Sequence, residues 1–430
     1  MIGEGEDPTD LAPTPSARTR SREELADYLL DIGATLASYG CPSYRLEDVI
    51  RAVAEAEGFR AEPFALPTGL FLRVTPKEHQ HDHVPEVHRM TRLKEWGVDL
   101  GRLTLIDAIF NEVSERRCTI EQARRRIREI VQRPPLWSPP IVWAATTVSS
   151  GAAAVFFRGG LIDVLIASLV GAVVGLSRVV LGRKPAQVLL VDFLGGLFAA
   201  SCARFATQVW PSASTEVIVL AGAISLFPGM TFTTGLAEVA QKNLVSGGAR
   251  LMESAVTLLL ILFGVALVAG FQQLAGVPLP PLVVARPGLG LPYQGLALVV
   301  SATAFGVLFQ VPRQYMWAAL VSGATGYVVT SLAVRYLPEA PHVAAFCAAL
   351  AVCVLSNVLA RVMNRPAQLF QLPGMILLVP GSFGFVSLGQ LLAKKPEEGV
   401  QAGFMMALVG AALVIGVLVA NVVAPPRKLL

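Results

Sequence analysis

Ten apolar stretches, each near the ~20 residues that a helix needs to cross ~30 Å of hydrocarbon, constrain this chain more than any other feature. They run over 141–157, 161–181, 188–207, 217–237, 251–271, 293–309, 315–336, 343–363, 375–392 and 403–423. Inside a bilayer no water satisfies backbone amides, so such stretches must be helices. At 53% hydrophobic and 15% charged residues, an ordinary soluble chain is excluded. The charge is also uneven. Residues 1–138 hold 19 Lys/Arg and 23 Asp/Glu, and the rest hold 16 and 8. A polar region therefore precedes a polytopic membrane region.

In the polar region, residues 1–20 have the composition of a disordered tail and lack the pattern of a signal peptide. Helical periodicity begins at Ser21 with Leu25, Tyr28, Leu29, Ile32 and Leu36 and stops at Gly40; a second helix runs from near Ser43 to Gly58. Two short extended runs about Pro67-Thr68-Gly69 predict a hairpin. Two more helices follow, one carrying Leu103, Ile106, Phe110 and Val113, the next opening on a Thr119 to Gln122 capping box. Residues 21–138 thus form a small α+β domain. Its last helix carries Arg124, Arg125, Arg126, Arg128 and Arg133 just before the first apolar stretch, which suits anionic lipid heads better than nucleic acid, because no aromatic platform interleaves with them.

The loop with His79, His81, Asp82, His83, Glu86 and His88 could hold a divalent metal, but without helical ligand spacing it reads as solvated, and neither metal nor cofactor is expected. The five cysteines stand singly, without C-x-x-C spacing. No G-x-S-x-G, H-E-x-x-H or Walker loop supplies a catalytic group, so no catalytic residue is assigned.

The membrane region divides into 139–274 and 293–424 around a Pro-rich linker at 275–292, with a short tail at 425–430. At an offset of 380 − 228 = 152 the two halves align around Pro228-Gly229 and Pro380-Gly381, with Lys242 opposite Lys394 and Gly247 opposite Gly399. Five spans per half would invert one copy relative to the other, the plan of many secondary transporters. The Lys/Arg balance of the short loops, ten against six, places both ends in the cytoplasm.

A Pro-Gly inside a span can break the helix, freeing backbone groups that a substrate could satisfy. Pro228, Gly229, Thr231, Thr234, Pro380, Gly381 and Ser382 are therefore the candidate substrate-binding residues, with Thr233 beside them. A membrane-embedded carboxylate is costly and by default functional, so Asp192 and Glu238 are the candidates for carrying a proton or meeting a substrate ammonium; the plainer alternative for Asp192 is pairing with Arg178 or Arg183. Arg204 and Asn357 read as snorkelling and interhelical bonding. Gly171-x-x-x-Gly175 could pack helices within one chain or between copies in a homo-oligomer.

Several segments resemble the bacterial threonine/serine exporter family in its fused form: Gly40-Cys-Pro-Ser-Tyr-Arg45-Leu-Glu47-Asp48, Pro67-Thr-Gly-Leu-Phe-Leu72, Val98-Asp99-Leu-Gly-Arg-Leu103, Phe305-Gly-Val-Leu-Phe309-Gln-Val-Pro312, Arg365-Pro366 and Val379-Pro-Gly381. The resemblance implies a multi-pass protein of the bacterial inner membrane that exports threonine and serine, or a small dicarboxylate such as succinate, using the proton gradient. The rival from another class is a membrane-anchored hydrolase or sensor acting through the N-terminal domain.

Overall fold

The computed structural model describes residues 17–77, 86–93, 97–181, 185–276 and 288–426. The tail at 1–16, most of the histidine loop, Arg183 and Lys184, and the prolines at 278, 280, 281 and 287 lie outside these. The chain divides into two units: 1–97 with 105–133, and 98–104 with 134–430.

In the first unit α1 (Ala17–Ser38) and α2 (Ser43–Ala56) precede the strands β1 (Phe59–Leu66), β2 (Gly69–Pro76) and β3 (Val87–Arg92), followed by α3 (Leu100–Ser114), whose first residues to Thr104 belong to the second unit, and α4 (Ile120–Gln132). The helices end at Gly40 (φ 92°) and Gly58 (φ 81°), both in the left-handed region that a side chain resists. The stripe of Leu25, Tyr28, Leu29, Ile32 and Leu36 is buried throughout. The expected hairpin is present, closing at Leu66↔Gly69. A third antiparallel strand, β3, extends it beyond what the sequence pattern gave. Leu70, Leu72 and Val74 fill the core from one face, while Phe64 and Phe71 stack on the other, 6.4 Å apart. Glu47, in the segment 40–48 singled out above, accepts the Ala65 N–H at 3.1 Å and so ties α2 to β1.

The Thr119 to Gln122 capping box forms on α4. Its arginines are largely spent within the unit: Arg124 reaches Asp31 at 2.9 Å, Arg125 reaches Glu129 at 3.2 Å, and Arg126 pairs with Glu112. Arg124 and Arg126 are thus held by acidic residues of other elements and Arg125 by Glu129 of α4 itself, so three of the five arginines have partners within the unit.

The second unit is helical. It contains α5 (Pro139–Phe156), α6 (Leu161–Leu181), α7 (Pro185–Val209), α8 (Thr215–Gly222), α9 (Gly229–Ala240), α10 (Leu244–Leu274), α11 (Leu291–Leu308), α12 (Met316–Tyr336), α13 (Pro341–Met363), α14 (Gln368–Met375), α15 (Gly381–Leu392) and α16 (Pro396–Val423). Eight helical segments among the described residues are long and apolar enough to cross a bilayer, and α8 with α9 make a ninth, bent by 46°. The expected span at 141–157 is the 18-residue α5, which falls short of that standard because Pro139, Pro140, Thr146, Thr147, Ser149 and Ser150 dilute it. Leu161, Leu165, Leu169 and Leu176 stand exposed along α6, as a lipid-facing stripe must. This is a multi-pass membrane protein with a small three-stranded domain before its spans. The end of the Pro-rich linker is helical after all: α11 starts at Leu291 with Pro292 in its first turn, where a missing N–H costs nothing.

The internal correspondence extends over the whole membrane unit. Counterparts 152 positions apart begin α5 and α11 (Pro139, Leu291), α9 and α15 (Gly229, Gly381), and α10 and α16 (Leu244, Pro396). Left-handed non-glycine residues recur at the same corners: Arg158 and Gln310, then Lys242 and Lys394. Tight crossings recur too. A Cβ on Gly222 would lie 2.7 Å from Val170, and one on Gly374 2.9 Å from Ser322. Gly264 presses on α7 at the Phe193 carbonyl and Gly416 on α13 at the Phe346 carbonyl. Gly171 packs against Ser150 of α5, so this small-residue spacing is used within the chain. The segments 98–103 and 305–312 also meet within this unit, since the Leu100 N–H donates to the Phe309 carbonyl at 2.9 Å.

Candidate functional site

The site is built by two proline breaks. A proline lacks the N–H that continues a helix and pushes the residue before it into extended backbone. Accordingly α8 ends, a 3-10 turn covers Ile224–Leu226, Phe227 is extended, and α9 starts afresh at Gly229. In the second half α14 ends, a 3-10 turn covers Ile376–Leu378, Val379 is extended, and α15 starts at Gly381. Neither α9 nor α15 has a side-chain cap, because its N-cap is the proline itself. Their first amides are left to other partners.

The two breaks touch. A Cβ built on Gly229 would lie 2.1 Å from Val379 Cγ1 and 3.3 Å from the Gly381 nitrogen, and one on Gly381 would lie 3.1 Å from Phe227 Cβ. Only glycine lets two helix starts approach so closely. Phe227 also stacks on Phe385, with ring centres 5.3 Å apart.

Around this contact lies a cavity of about 280 Å³. Counterparts line it in pairs: Ser149 with Ser301, Ala153 with Phe305, Ile224 with Ile376, and Gly229 with Gly381. Tyr327, Thr330, Ser331 and Ser382 add hydroxyls, and no charged side chain is in the lining. Ser149 donates to the Thr146 carbonyl, Ser301 to Leu298, and Tyr327 to Gln294 Oε1 at 2.7 Å. The Thr330 hydroxyl is buried and has no hydrogen-bond partner among the described residues. A buried hydroxyl costs free energy unless something bonds it.

Of the residues nominated from sequence, Gly229, Gly381 and Ser382 line the cavity, and Pro228 and Pro380 make its breaks. Thr231 and Thr234 lie farther along α9, outside the lining, and Thr233 bonds back to the Gly229 carbonyl at 3.0 Å. Glu238 is fully buried and paired with Arg250 at 3.0 Å, away from the cavity. Asp192 is buried near the start of α7, also outside the lining. Arg178 and Asp192 act on each other electrostatically, while Arg178 Nη2 donates to the Ser225 carbonyl, in the first broken turn, at 2.8 Å. Asn357 makes the expected interhelical bonds, donating to Asn421 Oδ1 at 3.0 Å and to the Ala424 carbonyl at 2.9 Å. Glu86 bonds Arg73, which holds its carboxyl below the usual carboxylate range, and His88 bonds Glu86 at 3.2 Å. Among the described residues no group of three or more potential ligands is placed to hold a metal.

Sequence reading missed Ser149, Ser301, Tyr327 and Thr330. For the first two a signal existed, since identical serines stand at corresponding positions of the two halves.

Comparison with known proteins bears on both modules. The threonine/serine exporter model ThrE matches residues 27–272, and a second model, "Threonine/Serine exporter, ThrE", matches 294–423. Similar proteins include the pheromone-regulated membrane protein 10 of Yarrowia lipolytica, 23% identical over 85% of this chain and 30% of the relative. That of Candida glabrata is 21% identical over 87% and 48%. An uncharacterized protein of Schizosaccharomyces pombe is 27% identical over 56% and 32%. The chain thus spans about a third to a half of the length of these relatives. No solved structure matches.

Proposed function

The chain belongs to the threonine/serine exporter family, and we propose that it exports threonine or serine by alternating access, with the substrate held in the cavity between the two breaks. The observation that carries this reading is the pair of uncapped helix starts meeting at a mostly apolar cavity whose polar side chains are hydroxyls, with no charge among them. The substrate carboxylate faces the free amides at Gly229 and Gly381, where the helix dipoles favour an anion. Its ammonium faces carbonyls of the broken turns, and Thr330 and Ser382 bond its hydroxyl. About 280 Å³ lies just below the ~300–1,000 Å³ of pockets for drug-sized ligands and suits a small amino acid. A dicarboxylate of charge −2 would need cations that this lining lacks, so the zwitterion is the better fit.

In this reading each half makes five passes, with α8 and α9 counted as one and α14 and α15 as one, so the halves are inverted copies that rock about the cavity. Both ends lie on the cytoplasmic side of a bacterial inner membrane, as the loop charges favour. The proton rides on Asp192, which among the described residues has no carboxylate-cation contact within ion-pair distance, rather than on Glu238, which is held by Arg250.

The test is efflux from proteoliposomes preloaded with labelled threonine, serine or succinate, with and without a proton gradient. Gradient-driven loss of threonine or serine is expected, and Asp192→Asn should retain exchange of threonine for threonine while losing the response to the gradient. Flux of succinate alone would overturn the substrate assignment, and no flux of any label would overturn the exporter reading.

A further inference from the structure

The cavity uses the two halves unequally. Its centre is paired, but its remaining lining includes Phe156 and Phe157 at the end of α5 and Tyr327, Thr330 and Ser331 in the last part of α12. In the proposed topology both helix ends reach the same, outer side of the membrane. The counterparts of Tyr327, Thr330 and Ser331 are Gly175, Arg178 and Val179 on α6, and none of these three lines the cavity. Instead Gly175 is packed on Trp143 and Thr146 of α5, and Arg178 grips the Ser225 carbonyl. The last part of α12 thus contributes to the lining and the corresponding part of α6 does not.

Two inverted copies of one sequence plan can exchange conformations, because what one half does in one state the other can do in the second. We propose that in the second state Gly175, Arg178 and Val179 line the cavity from the cytoplasmic side, and that Arg178 is the substrate-binding residue there. This rests on the exporter reading and adds to it a cation, for carboxylate-bearing substrates, that the present lining lacks. Three observations converge on Arg178. Its position corresponds to Thr330, whose hydroxyl is buried in the cavity without a partner among the described residues. Its guanidinium already touches the broken turn, one residue from Ile224 of the lining. And Ser225, whose carbonyl it holds, carries a buried hydroxyl with no partner among the described residues, so this turn has polar capacity to spare.

The consequence is a division of labour. On the cytoplasmic side, where substrate is captured, a guanidinium meets the carboxylate as a charge-assisted bond. On the outer side, where substrate must leave, the corresponding position is a neutral hydroxyl that holds it weakly. Release of the Ser225 carbonyl is the step that frees Arg178 for substrate.

The experiment uses the full chain in proteoliposomes with labelled threonine. Arg178→Ala should raise the KM for threonine presented at the cytoplasmic face roughly ten- to hundredfold, the range for a hydrogen bond to a charged group, with a much smaller change at the outer face. Arg178→Lys should recover most of the loss. In parallel, Val179→Cys and Ser331→Cys, corresponding positions, are labelled with an impermeant maleimide over the background of the native cysteines. Threonine and an inward-favouring gradient should speed labelling of Val179→Cys and slow that of Ser331→Cys. Transport that persists with an unchanged cytoplasmic KM in Arg178→Ala, or labelling of both cysteines that moves in the same direction, overturns the proposal while leaving the exporter reading intact. Absence of threonine transport by the unaltered protein removes the exporter reading, and this inference with it.

Discussion

The contact between the two breaks is one of the tightest in the second unit, and Gly229→Ala tests it. The added Cβ would start 2.1 Å from Val379 Cγ1, whereas carbons rest at ~3.5–4.0 Å, so α9 and the second break at Val379 must separate by roughly 1.5 Å. Overpacking of this kind costs about 1–3 kcal/mol, which is roughly a five- to hundredfold change in any equilibrium that requires the contact. Because the other neighbours are at 3.3 Å, nearly all of the strain falls on one methyl group. Val379→Ala removes that methyl. The expected result is a threonine efflux rate that drops at least fivefold in Gly229→Ala, changes little in Val379→Ala, and returns most of the way in the double variant, with the amount of reconstituted protein held equal. Full activity of Gly229→Ala would refute the idea that the breaks must touch during the cycle. A double variant no better than Gly229→Ala would refute the assignment of the strain to Val379.

Three further outcomes follow from packing and charge. Glu238→Gln leaves the buried Arg250 without its carboxylate and should lower stability by about 3–5 kcal/mol, read as a fall in thermal unfolding temperature in detergent; an apolar pair at both positions should recover much of it. Gly416→Leu would drive a side chain into the Phe346 carbonyl, already 3.0 Å from a bare Cβ, so the variant should fail to accumulate in the membrane, whereas Gly270→Leu, with nothing within 4 Å of its Cβ position, should accumulate normally. In the first unit Arg126 holds the Glu112 carboxyl below its ordinary range. That stabilisation is present above the unfolded carboxylate pKa and is lost as pH falls through the lower, folded value. The protection factors of the α3 and α4 amides in the full chain, taken relative to the intrinsic exchange rate at each pH, should therefore fall in acid, and Glu112→Gln should flatten the dependence.

Much of the architecture was legible because the bilayer leaves hydrophobicity few solutions. Runs of apolar residues, punctuated by Pro228-Gly229 and Pro380-Gly381, fixed where spans lie and where two of them break. The strand β3 was not legible, since His88, Arg89, Thr91 and Arg92 give an edge strand almost no apolar alternation. Nor was the fate of the α4 arginines, whose partners Asp31 and Glu112 sit 93 and 14 residues away. The hydroxyls of the cavity carry no local pattern at all. Ser and Thr in a membrane helix commonly bond their own backbone, as Ser168 and Thr303 do here, so only the comparison of the two halves separates Ser149 and Ser301 from the rest. Asp192 and Glu238 were conspicuous by cost, yet burial alone could not say that Glu238 has a partner twelve residues on.

Gly229 and Gly381 occupy corresponding positions and touch one another. Whatever operation carries one half onto the other must pass close to that point, and residues there face their own images. A side chain added to either glycine is therefore met at once by the backbone around its twin. Farther out the twins are strangers: Glu238 answers to Gln390, Arg250 to Ala402 and Asp192 to Ala344. The two halves thus share the glycine contact between their breaks and part company in the charges they carry away from it.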